Sequence, residues 1–543
     1  MGSQPPVNKR LIVCCDGTWM NSDNGYVEPT LEHPQPTLQV PSNVTRISRC
    51  FKRRCNDGTL QVISYESGVG TGSNAIDTLT GGAFGLGLSE RVREAYSYLC
   101  ANHIDGDEIF LVGFSRGAFT ARSVAGMVGN LGLLTREGLE YFYPIFKDME
   151  NWNNDKYDDE FPGQPFPNKP KGPNAADEYR ARLEKLGYTR VYQETGELIK
   201  IKAVCVWDTV GSLGIPTVSW LDKIGIHPSN DEYKWHDTSL SDRIEHAFQA
   251  LALDETRAPF TPAVWERLPE NRLTTDLRQV WFPGNHANCG GGWPDQEAAD
   301  CSLAWMMDQM ASVGVEFDLS CLERVAQKTI GYYKSLQIPK QKGLKWAVEP
   351  IYEENQPVRP WALGSINKAG SFIYKLSGFE DRTPGLYKRT DPKTGRDTNI
   401  FLQDTNERIH SSARVRLACK GLGLDDKAVW TCPSLGHWQL KHTDATFKDP
   451  IPRNPSWWQG APDESGVDKQ QSGRWIWEYA GPQSSAPTDS KQRIMVEEPL
   501  GPYERYLLQL SEGIPNVYLF AETQDIDWQG KKIPALRSGK KNV

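Results

Sequence analysis

The stretch Ile109-Phe110-Leu111-Val112-Gly113-Phe114-Ser115-Arg116-Gly117-Ala118-Phe119-Thr120-Ala121-Arg122 constrains the fold more than any other part of the chain. Four apolar strand formers run into a Gly-x-Ser-x-Gly turn, and the residues after it open a helical pattern over 116–128. Small residues on both sides of Ser115 let a strand and a helix approach closely. The strained turn between them presents the serine hydroxyl at the carboxyl edge of a sheet, the geometry of a nucleophile elbow. With 48 glycines in 543 residues the pattern also arises by chance as a plain Gly/Ser-rich turn, so its meaning depends on partners elsewhere.

The flanking sequence is that of a chain alternating strand and helix. Apolar runs at 9–15, 62–65, 201–207 and 278–282 read as buried parallel strands. Helical patterns are expected at 89–99, 242–253 and 296–310, which together imply a doubly wound, mostly parallel α/β sheet. Two insertions, about 143–187 and 215–237, follow element ends where active-site loops gather and read as lid-like surface pieces. Past about Tyr333 clear strand-helix alternation stops. Short aromatic runs such as Ala428-Val429-Trp430-Thr431-Cys432 and Arg474-Trp475-Ile476-Trp477-Glu478 alternate with Pro/Gly-rich turns, and 504–510 is expected to be helical. The expectation is an α/β domain over 1–332 and an irregular, partly β, Trp-rich region over 333–543 packing on it.

A chain of 543 residues exceeds one ordinary core, which is consistent with that division. A net charge of −8 argues against a nucleic-acid partner, because binding phosphates calls for clustered lysine and arginine; Lys52-Arg53-Arg54 reads as a solvated face. The amino terminus, Met1-Gly2-Ser3-Gln4-Pro5-Pro6, lacks the apolar core of a signal peptide, and no run of 18 or more apolar residues occurs, so a cytoplasmic location is expected. The eleven cysteines show no Cys-x-x-Cys spacing and read as reduced, structural residues with no metal site. The glycines between 68 and 87 match neither dinucleotide nor P-loop spacing and read as a flexible structural loop, so no cofactor is expected.

A serine nucleophile needs a base within hydrogen-bond reach and an acid that orients the base. Asp208 ends the run Val204-Cys205-Val206-Trp207, and His286 follows Val280-Trp281-Phe282-Pro283-Gly284-Asn285. They fall in the order Ser, acid, His that this kind of elbow requires, each just past a strand. His246 and His227 are rival bases, weakened because neither directly follows a strand. Arg116 N–H is one candidate oxyanion donor, and Gly17 or Thr18 N–H, closing the first strand, is the other.

Taken together, Cys15-Asp16-Gly17-Thr18-Trp19, Gly113-Phe114-Ser115-Arg116-Gly117-Ala118, Val206-Trp207-Asp208-Thr209-Val210-Gly211 and Phe282-Pro283-Gly284-Asn285-His286 with Gly290-Gly291-Gly292 resemble the domain-of-unknown-function family 2235. Ala252-Leu253-Asp254-Glu255-Thr256-Arg257, with Phe260, Pro262 and Trp265, is similar to a further family segment, and the resemblance covers roughly 9–310. It implies an α/β-hydrolase fold, shared with phospholipase effectors of type VI secretion and with uncharacterised fungal proteins, among which it places this chain. It also implies a Ser115-Asp208-His286 esterase. The loop after the base departs from the family: Asn288 stands where a carboxylate is common. The resulting expectation is a serine hydrolase of lipid or other hydrophobic acyl esters that touches membrane surfaces transiently. The alternatives are an acyltransferase or a catalytically idle scaffold on the same fold.

Overall fold

In this computed structural model residues 8–17, 26–27, 37–68, 82–154, 156–210, 240–335, 358–367, 378–390, 397–443, 445, 447, 475–511 and 517–522 are described. Among them, ten strands join in one sheet. They are β1 (Lys9–Cys15), β2 (Leu60–Glu66), β3 (Glu108–Phe114), β4 (Ile201–Trp207), β5 (Ile244–Ala252), β6 (Asp276–Phe282), β7 (Glu407–His410), β8 (Trp438–His442), β9 (Trp475–Tyr479) and β10 (Ile494–Glu498). Their spatial order is β8-β9-β10-β7-β6-β5-β4-β3-β1-β2. Every pair from β2 to β10 through β7 is parallel, and β9 and β8 are added antiparallel at one edge.

The near-continuous apolar character of β1, β3, β4 and β6 has a simple cause: a parallel sheet covered on both faces buries both sides of each strand. Alternate residues go to different layers. Leu11, Val13, Ile109 and Leu111 join the apolar cluster formed with α2 (Gly82–Asn102) and α3 (Arg116–Leu131), whereas Ile12, Cys14, Phe110 and Val112 face the opposite cluster. The 143–187 insertion carries α4 (Phe142–Asn151) and α5 (Ala175–Lys185), whose Phe146 and Tyr179 are buried in the α2/α3 layer. The other insertion, 215–237, lies outside the described residues. On the second face pack α1 (Asn43–Ser48), α6 (His286–Gly290), α7 (Glu297–Ala311) and α8 (Leu319–Ser335).

Two expectations need correction. The helical pattern at 242–253 is a strand, β5, hydrogen-bonded between β4 and β6. Its sequence, Ile-Glu-His-Ala-Phe-Gln-Ala-Leu-Ala, is rich in helix formers, but burial between two parallel neighbours outweighs that preference. The cysteines are not all reduced: Cys50, just past α1, is disulfide-bonded to Cys321 in α8, while the other nine are free and buried.

The region past 333 is partly β, and its strands extend the same sheet. Within it, β7 pairs in parallel with β6 and runs straight into α9 (Ser411–Ala418), a strand-helix unit that the aromatic and turn pattern of the sequence does not show. Among the described residues of this region Trp438, Trp475 and Trp477 are buried on the α7 side, and α10 (Pro502–Leu510) covers 504–510 as expected. Among the described residues no helix is long and apolar enough to cross a membrane.

Candidate active site

The strand order reverses between β1 and β3, since β2 lies on one side of β1 and the later strands extend from the other. In open α/β sheets the crevice at the carboxyl ends of such strands is where ligands bind. Asp16 and Ser115 flank that crevice. Ser115 adopts φ +57° and ψ −121°, a strained conformation for a residue with a side chain. The two glycines around it are required by close approach. A Cβ on Gly117 would lie 2.0 Å from the Cys15 carbonyl oxygen, and one on Gly113 would lie 2.5 Å from that of Gly117. The turn thus wedges α3 against β1 and lifts the serine hydroxyl clear of the helix, whose first turn it does not cap.

Asp208 follows β4 directly, with φ +42°, and its N–H donates to the Ala250 carbonyl at 2.7 Å. His286 follows β6 through Pro283-Gly284-Asn285 and begins α6. The Asn285 side chain accepts from Ala287 N–H and Asn288 N–H, both at 3.1 Å, which fixes the start of that helix. The three side chains meet. The Ser115 Oγ to His286 Nε2 distance is 2.7 Å, and His286 Nδ1 lies 2.6 Å from Asp208 Oδ2. Phe114 and Phe260 flank the imidazole with ring centroids at 4.7 and 4.9 Å, so the base sits in an apolar slot.

The electrostatics around Asp208 are strong. Burial alone would raise its carboxyl, but Arg382 and His286 outweigh that and hold it well below the usual carboxylate range. Arg382 grips both oxygens: Nη1 donates to Oδ1, and Nη2 to Oδ2 at 3.0 Å. The second rival base, His227, lies outside the described residues. The first, His246, is on β5 rather than on a helix, and its Nδ1 lies 3.3 Å from Asp276 Oδ2 at the amino end of the strands, away from Ser115.

Of the candidate oxyanion donors, Arg116 is the first residue of α3, immediately after the serine. Gly17 N–H donates to Asp16 Oδ1 at 2.6 Å. Thr18 lies outside the described residues. Asp16 itself is a buried acceptor. Its carboxylate takes hydrogen bonds from the hydroxyls of Ser42, Thr45 and Tyr65, while burial pushes it above its ordinary value.

Two further residues were missed. Glu255 accepts the His286 backbone N–H at 3.3 Å and is clasped by Arg257 Nε and Nη2 at 2.8 and 2.7 Å, which accounts for the Asp-Glu-Thr-Arg segment singled out in the sequence. Arg382 lies where the sequence carries neither periodicity nor motif, so no sequence signal points to it. Asn288, the departure from the family pattern, is structural: its Oδ1 accepts Asn285 N–H at 3.2 Å and its Nδ2 donates to the Ser365 carbonyl at 2.8 Å. Elsewhere Cys55, Asp57 and Glu316 converge within 4.8 Å, but Arg10 donates to Cys55 Sγ at 3.0 Å and Lys52 pairs with Glu316 at 2.8 Å.

An uncharacterized protein of Saccharomyces cerevisiae, YEL023C, is 26% identical over 277 residues, which cover 48% of this chain and 33% of that protein. The chain thus spans about a third of the length of that curated relative. Among solved structures, an uncharacterized protein from Pseudomonas aeruginosa aligns at TM-score 0.30 and 15% identity, over 61% of this chain and 51% of that one. The Tle1 effector bound to the VgrG spike from the Type 6 secretion system aligns at TM-score 0.26 and 18% identity, over 53% and 51%. Residues 9–309, more than half of the chain, match the family model described as T6SS, Phospholipase effector Tle1-like, catalytic domain, and the chain belongs to that family.

Proposed function

We propose that the chain is a serine hydrolase of carboxylic esters acting on lipid or similarly hydrophobic acyl substrates. The observation that carries this reading is the continuous hydrogen-bonded line from Ser115 Oγ through the His286 ring to Asp208, with the hydroxyl held on a strained turn. Ser115 Oγ attacks the acyl carbon while its proton passes to His286 Nε2. Collapse of the tetrahedral intermediate breaks the bond to the alcohol, which leaves with that proton. Water then attacks the acyl-enzyme, again giving its proton to His286, and the acid departs as Ser115 is regenerated. Asp208 holds the ring in the tautomer that presents Nε2 to the serine and stabilises the imidazolium.

The oxyanion is assigned to Arg116 N–H and to Gly17 N–H, the latter turning from Asp16 to the substrate as charge develops. Phe114 and Phe260 beside the base favour an acyl chain over a charged group. The family description supports a phospholipid ester, reached by transient contact with a membrane surface. The test is fatty-acid release from phosphatidylcholine and phosphatidylglycerol vesicles and from short-chain esters, with Ser115→Ala as control. Release that Ser115→Ala abolishes supports the reading. Equal release by parent and variant, or none from any ester, contradicts it.

A further inference from the structure

Arg382 lies well beyond residues 9–309, yet its guanidinium is buried against the acid of the site. We propose that Arg382 is a positioning residue of the hydrolytic site, fixing the plane and charge of Asp208, so that the region past the family-matched residues completes the catalytic apparatus. The inference rests on the assignment of Ser115, His286 and Asp208 made above and adds a fourth residue to it.

The geometry is that of a clamp. Each terminal nitrogen serves twice: Nη1 bonds Asp208 Oδ1 and, at 2.7 Å, the Ala252 carbonyl, while Nη2 bonds Oδ2 and, at 2.8 Å, the Phe260 carbonyl. The guanidinium is therefore anchored on two backbone oxygens, one at the last residue of β5 and one in the segment that follows it, and its planar fork dictates the plane of the carboxylate. Oδ2 is the oxygen that also meets His286 Nδ1, and Oδ1 accepts Ala252 N–H at 2.9 Å. A carboxylate this deeply buried and held only by the histidine and one N–H would be free to rotate or to take up a proton. An arginine beside it prevents both, because it stays charged at every working pH.

The same charge acts on the base. Asp208 favours the imidazolium, and a fixed cation on the far side of the carboxylate limits how far. The other ionisable groups around the pair do not substitute for it. Glu255 is neutralised in the first place by Arg257, although it also interacts with Arg382 and His286, and burial pushes the Cys289 thiol and the Tyr387 phenol up, so both stay neutral. Without Arg382 the Asp208-His286 pair carries an uncompensated negative charge when the base is free, and it retains its proton to higher pH.

The experiment is the second-order rate of inactivation by a fluorophosphonate, measured from pH 4.5 to 9 on the parent chain, Arg382→Gln and Arg382→Lys, with thermal unfolding of each. In Arg382→Gln the acidic limb is expected to move up by about 1 pH unit, because a like charge that opposes the imidazolium has been removed. Its plateau should fall about tenfold as the carboxylate loosens. Arg382→Lys keeps the charge and loses the fork, so its limb stays within about 0.3 unit of the parent while its plateau falls. A limb in Arg382→Gln that coincides with the parent overturns the proposal, as does one in Arg382→Lys displaced as far as in Arg382→Gln. Should Arg382→Gln not fold, the Arg382→Lys profile decides alone, a displaced limb or an unchanged plateau being the contrary result. No reaction of the folded parent removes the assignment of Ser115 and the proposal with it. A reactive parent with an unshifted glutamine variant removes the proposal only.

Discussion

The two ends of the sheet bury different chemistry. From β2 to β6 the strand interiors are mostly apolar, with Gln249 on β5 and the Arg278–Asp276 pair and Gln279 on β6 as buried exceptions, and Asp16, Ser115, Asp208 and His286 sit just past the carboxyl ends of β1, β3, β4 and β6. From β7 to β10 the interior itself is charged. Arg408 pairs with Glu498 at 3.0 Å and Arg414 with Glu497 at 2.8 Å and Glu522 at 2.7 Å, while His410, pushed down to about 3 by burial and so neutral, hydrogen-bonds Glu504 at 2.6 Å. A reactive group belongs at a strand end, where substrate can reach it, whereas a buried ion pair away from the crevice joins elements to one another. On the proposed reading chemistry falls to the first half and cohesion to the second, with Arg382 as the point where the second reaches into the first.

Four substitutions test that contrast, in decreasing order of expected effect. His286→Gln should lower ester turnover by about 10⁴-fold or more while leaving the unfolding midpoint within a few degrees. A large loss of stability with turnover retained would place His286 in the cohesive class instead. Arg414→Met should do the opposite. It leaves Glu497 buried without its cation and removes one partner of the half-buried Glu522, so equilibrium denaturation should show a loss of about 3 to 5 kcal/mol. Turnover of the folded fraction should hold, and a collapse of turnover would join the two halves functionally.

Glu297, on α7, tests the junction between the halves through pH. Burial pushes its carboxyl up to about 8, although the N–H groups of Ala362 and Gly364 both donate to it at 2.6 Å. The unfolded chain releases this proton near pH 4.3 while the folded chain keeps it to about 8, so stability is fully present at low pH and declines as pH rises between those values. The decline approaches about 1.4 kcal/mol per pH unit where only the unfolded chain has ionised. Glu297→Gln should start from a lower stability and flatten that decline, as read by denaturation from pH 5 to 8. An unchanged slope would show that Glu297 ionises normally. The smallest effect is expected from Asn288→Ala, which removes the capping partner of Asn285 and a donor to Ser365. It should cost about 1 kcal/mol and reduce turnover only slightly.

The same contrast explains what the sequence made legible. An apolar run buried on both faces of a parallel sheet is conspicuous, and the polar residues just past its end border the crevice. Ser115, Asp208 and His286 could therefore be picked out and are found together. β5 was concealed because Ala247, Gln249, Ala250 and Leu251 favour helix locally, and only its neighbours on both sides make it a strand. β7 and β10 are short and carry buried arginine and glutamate, which read as surface until their partners, about 80 to 90 residues away in sequence, are known. Arg382 has no pattern around it, and its significance exists only in three dimensions.

The central claim is that Ser115 is a nucleophile activated by His286. Intact-mass analysis after exposure of the folded chain to a fluorophosphonate, followed by peptide mapping, tests it most directly. One covalent adduct per chain is expected, located on Ser115 and absent from Ser115→Ala. No adduct on the folded parent, or an adduct that persists in Ser115→Ala, would contradict it.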